Sequence, residues 1–595
     1  MNTQFEPEGQ APPRSGLLLL QGLVWGLFVL FALRLWYLQI HKGDEYAEAA
    51  LENQMRREAI YAPRGLIRDR NGTLLAVNQP AYALGLVRED CPDVTATLDK
   101  VTEWTGYDRL ELREKFHKFK RLVKPFEPMI LIPDLPFEQL AVIEANALFW
   151  PGLEIVVRPR RFYPQGALVS HVLGYVAEAN EEELQKISAL SMGDDVGKGG
   201  LELTMEDRLR GGKGLRQSEV DATGRRLEQI VVERPTAGEN MVLSIDLPLQ
   251  EHCHTLLEGR AGAVVVMDPD TGQLLAFVSQ PGFDNNQFVT GLSETQWATL
   301  RDDPMHPLQN RVIQSAFPPG SVFKLVVGSA ALEMGVDPKE TIYCPGHWKL
   351  GRRVFRCWKK GGHGRVDFHK GLTQSCDVYF YQLGDRLGVD VMSRYAVAYG
   401  FGTRTGIDLP HEKAGLIPTR EWKRERFGEP WQGGENLNMA IGQGFNLVTP
   451  LQVTRFIAAL VNGGKLLKPL LLRDSEPMVQ SRLPLSDEHR QMVLDAMVST
   501  VEEGTARRLR RRDATIGGKT GTAQVVRLRA SEDEKRRKTE EMPYEERDHA
   551  WLASWGTKDN KNYVVVCMVE HGGHGSSAAG PVVRAVYDHL FGKPR

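Results

Sequence analysis

At residues 318–324 the chain reads Pro318-Pro319-Gly320-Ser321-Val322-Phe323-Lys324, and apolar residues at three- and four-residue spacing predict a helix from Ser321 to Glu333. Positions i and i+3 share one face of a helix, so Lys324 can reach the Ser321 hydroxyl. A serine needs an adjacent base to be nucleophilic near neutral pH. A lysine acts as that base only in its neutral form, which desolvation and nearby cations favour. The motif therefore predicts a serine nucleophile with a lysine base.

Two further motifs follow in order along the chain. Ser375-Cys376-Asp377 begins a second predicted helix, and Gly517-Gly518-Lys519-Thr520-Gly521-Thr522 lies in a late predicted strand, where glycines let a substrate backbone approach closely. A Ser-x-x-Lys match alone occurs by chance about once or twice in a chain of this length, and each of the other motifs alone is an ordinary cap or turn. Together and in this order, the three motifs are the signature that serine β-lactamases and penicillin-binding proteins share.

The N-terminal region contains one long apolar segment. Residues 17–33 are apolar except for Gln21 and are followed by Arg34, Trp36 and Tyr37, a pattern typical of a membrane helix with an aromatic belt. We predict a short cytoplasmic tail at 1–16 and a transmembrane helix at 17–40. A cleaved signal peptide is the alternative, but its small-x-small triplet, Ala47-Glu48-Ala49, lies far beyond the apolar run, which favours an uncleaved anchor.

The rest of the chain is typical of a multidomain α+β protein. Residues 41–235 alternate short strand-like runs with Gly and Pro breaks and are predicted to form an irregular α+β domain, here called the pedestal. A second domain is predicted at 236–595. It begins with a hairpin, since apolar runs at 263–267 and 274–278 flank a Pro/Asp/Gly turn. Further strand-like runs lie at 515–526, 550–555 and 563–569, so we predict one antiparallel sheet built from both ends of the domain, with helices on both faces.

The distribution of charge argues against nucleic-acid binding and identifies one solvated segment. The formal net charge of -2 over 595 residues gives no support to nucleic-acid binding. Residues 527–548 are dense in both charge signs and are predicted to be a solvated, mobile loop.

Four other segments connect the chain to a known family: Arg64-Gly65-Leu66-Ile67-Arg68-Asp69-Arg70-Asn71-Gly72, Gly199-Gly200-Leu201-Glu202 with Glu206-Asp207, Leu243-Ser244-Ile245-Asp246-Leu247, and Ile441-Gly442-Gln443-Gly444. With the three motifs, they resemble the class B penicillin-binding proteins over nearly the whole chain, and most closely the penicillin-binding protein 2 group of rod-shape elongation. Asp377 stands where most of the superfamily has asparagine. Similar Ser-x-Asp elements occur in the elongation group, which favours that assignment over a septal one.

The resemblance implies a peptidoglycan D,D-transpeptidase that forms a serine acyl-enzyme, needs no cofactor for its chemistry and is inhibited by β-lactams. It implies that Ser321 attacks the carbonyl between two terminal D-alanines, that Lys324 accepts its proton and that Ser375 relays a proton to the leaving amine. The other implied site residues are Asp377 and Lys519, with Thr520, Gly521 and Thr522 for substrate binding; backbone N–H groups of Ser321 and Thr522 would form the oxyanion hole.

The resemblance also implies location and partners. The protein would be a single-pass inner-membrane protein with most of its chain in the periplasm. Its partners would be peptidoglycan stem peptides, a membrane glycan polymerase of the SEDS type and other elongation-complex proteins. Two alternatives stay open at this point: a protein of the same fold that hydrolyses or senses β-lactams, and a non-catalytic scaffold that activates a membrane glycan polymerase. The partition between transpeptidation and carboxypeptidation also stays open.

A cluster of metal-ligand residues lies between the first two motifs. Three of the six cysteines and one histidine occur at Cys344, Cys357, His363 and Cys376. A Cys₃His set suits tetrahedral structural zinc, and a metal there would hold the Ser375-Cys376-Asp377 motif in place. A disulfide between Cys344 and Cys357 is the alternative, since the compartment outside the inner membrane is oxidising. Free buried thiols are a third possibility, which explains Cys253 and Cys567 well and this cluster poorly.

Overall fold

A computed structural model describes residues 14–44, 46, 55–220, 226–525 and 541–593. Most of the predicted cytoplasmic tail and residues 527–540 of the predicted charged loop lie outside the described residues. Within them, one helix is long and apolar enough to span a membrane. It is α1 (Arg14–Trp36), which continues as a π-helical turn over Tyr37–His41. The span from Leu17 to His41 has a mean hydropathy of 2.0 and packs against no other part of the described chain, so an apolar helix lies where the sequence predicted the membrane helix.

The pedestal contains two main sheets. One is a three-stranded antiparallel sheet in the order β1-β8-β9, and the other has the order β10-β2-β3-β4, with β5 also paired to β3. The strands are β1 (Met55–Ile60), β2 (Ile67–Arg68), β3 (Leu74–Leu86), β4 (Met129–Ile132), β5 (Leu153–Phe162), β6 (Val176–Glu178), β7 (Asp195–Gly197), β8 (Gly214–Val220), β9 (Arg226–Glu233) and β10 (Met241–Val242). β10 lies beyond residue 235, so the first residues of the predicted second domain add a strand to this pedestal sheet. The helices are α2 (Val94–Thr105), α3 (Arg109–Phe119), α4 (Phe137–Asn146), α5 (Ser170–Leu173), α6 (Glu181–Lys186), α7 (Gly200–Thr204) and α8 (Glu206–Leu209).

Charged residues of the two pedestal segments that resemble the family form buried ion pairs and hydrogen bonds. Glu202 is fully buried and accepts hydrogen bonds from Arg64 Nε and Arg161 Nε, each at 2.6 Å. Burial favours the neutral acid, but the two guanidinium groups outweigh it and hold the pKa of Glu202 below its ordinary value. Asp69 is also buried, and its carboxylate accepts from Thr73 N at 2.7 Å and Leu247 N at 3.2 Å. The pedestal is thereby hydrogen-bonded to Leu247, the first residue of the helix at Leu247–Leu256.

The second half of the chain is built on one five-stranded antiparallel sheet in the order β12-β11-β21-β20-β19. Its strands are β11 (Gly262–Met267), β12 (Leu274–Gln280), β19 (Thr515–Ala523), β20 (His549–Lys558) and β21 (Lys561–Val569); short two-stranded pairs add β13 (Ile342–Cys344), β14 (His347–Leu350), β15 (Arg353–Arg356), β16 (Gly364–Val366), β17 (Lys465–Leu467) and β18 (Val479–Arg482). The helices are α9 (Leu247–Leu256), α10 (Asn285–Thr290), α11 (Glu294–Arg301), α12 (Lys324–Glu333), α13 (Phe368–Thr373), α14 (Asp377–Ala398), α15 (Arg420–Phe427), α16 (Gly433–Ala440), α17 (Pro450–Val461), α18 (Asp487–Glu502) and α19 (Gly575–Phe591).

Helices cover both faces of this sheet. One face packs against α9 and α19, where Cys253, Val583 and Tyr587 meet strand residues such as Val264. The opposite face packs against the elements that carry the serine–lysine motif and α17, a larger core. Every residue of β11 and β12 is buried for this reason, which explains the apolar runs at 263–267 and 274–278. The α+β class and the predicted antiparallel sheet from both ends of the domain, with helices on both faces, are confirmed.

Candidate active site

Ser321 lies in a 3₁₀ turn, Gly320–Phe323, and α12 begins at Lys324, three residues later than predicted. A 3₁₀ turn is common at the N-terminus of an α-helix. Gly320 has φ +53°, and a Cβ there would lie 2.6 Å from Thr522 O, so only glycine allows the turn to approach β19 this closely. Gly320 N also donates to Gly442 O at 2.9 Å. Ser321 is therefore held, half-buried, between β19 and the Ile441-Gly442-Gln443-Gly444 segment.

Lys324 is completely buried and its ammonium group has three acceptors. Nζ lies 2.6 Å from Asp377 Oδ1, 3.0 Å from Ser375 O and 3.3 Å from Ser375 Oγ. A buried cation is costly unless it is paired and hydrogen-bonded, and Asp377 supplies both conditions. The structure thus assigns Asp377 a direct contact with the motif lysine.

The Ser375-Cys376-Asp377 motif forms the junction between α13 and α14. Ser375 has φ +52°, a conformation that non-glycine residues rarely adopt and that is enriched at functional sites. The predicted helix begins at Asp377, and Cys376 is its N-cap residue. Trp358, which no motif singled out, holds this junction: its N donates to Asp377 Oδ2 at 2.8 Å, and its Nε1 donates to Ser375 O at 3.0 Å.

Lys519 completes the polar array. It lies on β19, as predicted, and its side chain is fully buried with Nζ 2.8 Å from Ser375 Oγ. Burial lowers the pKa of Lys519 well below its ordinary value, the nearby charge of Lys324 lowers it further, and Asp377 only partly opposes them. The structure therefore brings Lys324, Ser375, Asp377 and Lys519 into one array and favours the neutral form of Lys519.

The remaining residues of the β19 motif make contacts that the sequence did not reveal. Thr520 Oγ1 lies 2.7 Å from Thr505 Oγ1, in the loop after α18. Gln443 Nε2 donates to Thr522 O at 2.9 Å, so the Ile441-Gly442-Gln443-Gly444 segment holds this part of β19 in place. Gly521 packs against the Pro319 carbonyl, 2.8 Å from the position of a Cβ. No residue pattern around Thr505 distinguished it from an ordinary loop threonine.

The four predicted metal ligands come together. Cys344, Cys357, His363 and Cys376 are all buried, and one donor atom from each lies within 4.8 Å of the others. His363 Nδ1 is 3.6 Å from Cys344 Sγ and 3.5 Å from Cys357 Sγ. Tetrahedral zinc with ordinary Zn–S and Zn–N bonds places nitrogen and sulfur ligands about 3.6 Å apart. The separations therefore match a zinc site, and in the structure all six cysteines are free thiols rather than disulfides.

Comparison with known proteins settles the family. Residues 262–588 match the penicillin-binding protein transpeptidase domain, and residues 59–243 match the penicillin-binding protein dimerisation domain. This chain belongs to the penicillin-binding protein transpeptidase family. The resemblance drawn from the motifs is confirmed at that level, and the three motifs of this penicillin-binding protein all fall inside the matched transpeptidase region.

Relatives of this penicillin-binding protein include the peptidoglycan D,D-transpeptidases MrdA of Haemophilus influenzae and Escherichia coli, each 36% identical over 97% of the chain and covering 90% and 93% of those proteins. Similar solved structures include penicillin-binding protein 2 of Helicobacter pylori in complex with MreC, at 30% identity and a TM-score of 0.78, covering 90% of this chain and 99% of that one. Another is a peptidoglycan synthase complex that coordinates polymerization and crosslinking, at 32% identity and a TM-score of 0.70, covering 98% of this chain and 99% of that one.

Proposed function

We propose that this penicillin-binding protein is a peptidoglycan D,D-transpeptidase that cross-links stem peptides during cell elongation through an acyl-enzyme on Ser321. The observation that carries the proposal is the buried array of Lys324, Ser375, Asp377 and Lys519, one turn from Ser321. The similarity to MrdA relatives over nearly the whole chain supports the same activity.

The reaction has two acyl transfers. Ser321 Oγ attacks the carbonyl carbon between the two terminal D-alanines, its proton passes to the array, and the C–N bond breaks as the departing D-alanine amine takes a proton. The amine of a second stem peptide then attacks the ester, and Ser321 Oγ regains its proton. Lys519, Thr520 and Thr522 bind the substrate carboxylate, while backbone N–H groups of Ser321 and Thr522 stabilise the oxyanion.

The array explains how a lysine paired with a carboxylate can still act as a base. Lys324 donates a proton to Ser375 Oγ across 3.3 Å, and the Ser375 hydroxyl donates its own proton to neutral Lys519 across 2.8 Å. This exchange leaves Lys324 neutral and able to accept the Ser321 proton, while Asp377 stabilises it again once it is charged. Because burial lowers the pKa of Lys519, this residue starts neutral and holds the transferred proton only weakly, so the proton returns through Ser375 to the departing amine.

We expect acylation to slow as pH falls. Lys519 is neutral above its lowered pKa, so acidification through that pKa protonates it and removes the proton acceptor behind Ser375. The measurement is the second-order rate constant for reaction with a fluorescent penicillin, followed from mildly alkaline to acidic pH. In Lys519→Arg the side chain stays charged throughout, so the rate should be low and flat. A wild-type rate that is also flat over this range would contradict the relay.

The domain boundaries and the membrane topology follow from the same assignment. We assign residues 41–235 to the pedestal and 236–595 to the transpeptidase domain, with the tail at 1–16 cytoplasmic and the rest of the chain beyond α1 periplasmic. The matches at 59–243 and 262–588 support two domains in this order, although the first match extends beyond residue 235. The partners we propose are a SEDS-type glycan polymerase and elongation-complex proteins of the MreC kind. The named Helicobacter pylori complex and the peptidoglycan synthase complex support them.

A structural zinc ion is the one metal that we propose, held by Cys344, Cys357, His363 and Cys376. The matching nitrogen–sulfur separations and the burial of all four donors support it. The ion takes no part in the acyl transfers. It would hold Cys376 between Ser375 and Asp377 and fix the loop that carries Trp358, whose two N–H groups bond to the same junction.

Protein purified without added metal should contain about one zinc per chain, since a closed four-ligand set binds zinc tightly. Cys376→Ser should lose the metal and slow acylation of Ser321. Cys91→Ser is the matched control, because Cys91 is buried in the pedestal and its sulfur already lies 3.2 Å from the Thr97 hydroxyl. Elemental analysis measures the zinc content and peptide mapping detects any disulfide. A metal-free protein with a Cys344–Cys357 bridge would overturn the zinc proposal.

The function itself is tested by product analysis. The full-length protein is incubated in detergent with uncross-linked glycan strands, which are digested afterwards, and the muropeptides are analysed by mass spectrometry. Penicillin-sensitive cross-linked dimers are expected. Only trimmed tetrapeptides would identify a carboxypeptidase, rapid release of hydrolysed penicillin would identify the β-lactamase alternative, and no penicillin adduct at all would leave the scaffold alternative.

A further inference from the structure

A cavity of about 300 Å³ lies in the pedestal, far along the chain from the catalytic motifs. Four segments form its wall: residues 61–64 just after β1, residues 158–161 of β5, residues 189–195, and residues 210–213 just before β8. Sites for small organic molecules begin at about this volume. The cavity is therefore large enough for a ligand of several heavy atoms rather than a single ion.

The wall is dominated by basic side chains. Five line it, namely Arg64, Arg158, Arg161, Arg210 and Lys213, against two acidic ones, Asp194 and Asp195. Most of these charges are neutralised locally. Arg64 and Arg161 pair with Glu202, Arg210 lies 3.9 Å from Glu206, and Lys213 pairs with Asp194. The basic side chains that have no acidic partner therefore determine which ligands the cavity can bind.

Arg158 is the exception to this pairing. It is only 6% exposed, makes no ion pair within the described part of the chain, and donates from Nη1 to the Gly193 carbonyl. The Asp195 carboxylate attracts Arg158 but forms no direct ion pair with it, and burial raises the pKa of Asp195 above its ordinary value. Burying a guanidinium without a carboxylate in contact is costly, so this arrangement is unusual for a purely structural arginine.

Two further polar atoms in the wall have no partner among the described residues. Arg161 is 3% exposed, and its Nη2 is buried without an acceptor, although its other nitrogens bond to Glu202 and to Gly65 O. Asp194 Oδ1 is likewise buried without a donor. Arginine forks match carboxylates and phosphates in geometry, while a free carboxylate oxygen matches a hydroxyl or ammonium group. The cavity thus offers two donors for an anion and one acceptor beside them.

We propose that this cavity is a binding site for a small organic anion, one that carries a carboxylate or phosphate group for Arg158 and Arg161 and a hydroxyl or ammonium donor for Asp194. The bound anion connects the segments that flank β1 and β8 with β5. It therefore stabilises the part of the pedestal around β1, the first described strand after α1.

Calorimetric titration of the full-length protein in detergent tests the site. The probes are glycerol 3-phosphate and glycerate, which present phosphate and carboxylate respectively beside hydroxyl groups, each at constant ionic strength against sodium chloride. Saturable one-site binding of at least one probe is expected, and the tighter probe identifies the anionic group. Arg158→Gln should weaken binding by about tenfold or more, because it removes a charged hydrogen-bond donor. Arg121→Gln removes an exposed pedestal arginine and should leave the affinity unchanged.

Two results would overturn the proposal: no saturable binding of either probe, or equal affinity in wild type and Arg158→Gln. If Arg158→Gln does not fold, the wild-type protein still decides the question through modification by phenylglyoxal, with the adducts mapped by mass spectrometry. A saturating probe should slow modification of Arg158 and leave that of Arg121 unchanged. An unchanged rate at Arg158 would count against the site.

Discussion

Ser321→Ala should abolish the penicillin adduct and reduce transpeptidation by a factor on the order of a million, as loss of the nucleophile does in serine hydrolases. No other serine of the chain has a lysine three residues on. The rest of the array is left intact, because Lys324 keeps its contacts to Asp377 and Ser375. Intact-mass analysis after incubation with a labelled penicillin, followed by peptide mapping in the wild type, measures both points.

Ser329→Ala is the matched control for this variant. Ser329 lies on the same helix, α12, and is fully buried, with its hydroxyl donating to Leu325 O at 2.7 Å. Removing it perturbs the helix without touching the array, so acylation should persist. An adduct that maps to Ser375, or one that survives in Ser321→Ala, would disprove the assignment of the nucleophile.

Lys324→Ala should acylate at least about a hundredfold more slowly, because loss of a general base typically has that effect. The structure adds a second consequence. Lys324 is the ion-pair partner of Asp377 in a buried site, and removing one partner of such a pair costs about 3–5 kcal/mol of stability. The acylation rate and the melting temperature must therefore be measured together.

The double variant Lys324→Ala with Asp377→Asn separates the two effects. It removes both charges, so the melting temperature should recover while acylation stays slow. Lys423→Ala provides a comparison elsewhere in the domain, since Lys423 is buried and paired with Glu435 at 2.6 Å but lies outside the array. It should lose stability and keep its acylation rate per folded molecule. Recovery of acylation in the double variant would show that the base is another residue.

The sequence predicted those features that depend on residues close together along the chain. The apolar run of α1, the hairpin of β11 and β12, and the late strands β20 and β21 each follow from local periodicity. The three motifs also predicted the family, because their residue types and order are specific to one kind of acyl-transfer site. The Cys₃His set could be predicted for the same reason, since residue types and their spacing along the chain are enough to suggest a set of metal ligands.

Tertiary structure decided which of these residues are in contact and which charge state each of them favours. Ser375 meets Lys324 across 51 positions and Lys519 across 144, and the same packing excludes water and lowers the pKa of Lys519. Nothing local marked Thr505 or Trp358, which reach the site only because loops fold over β19 and α14. The motifs identify the types of side chain that the chemistry needs. Their distances and their burial depend on contacts between distant parts of the chain, and the proton relay depends on those distances and that burial.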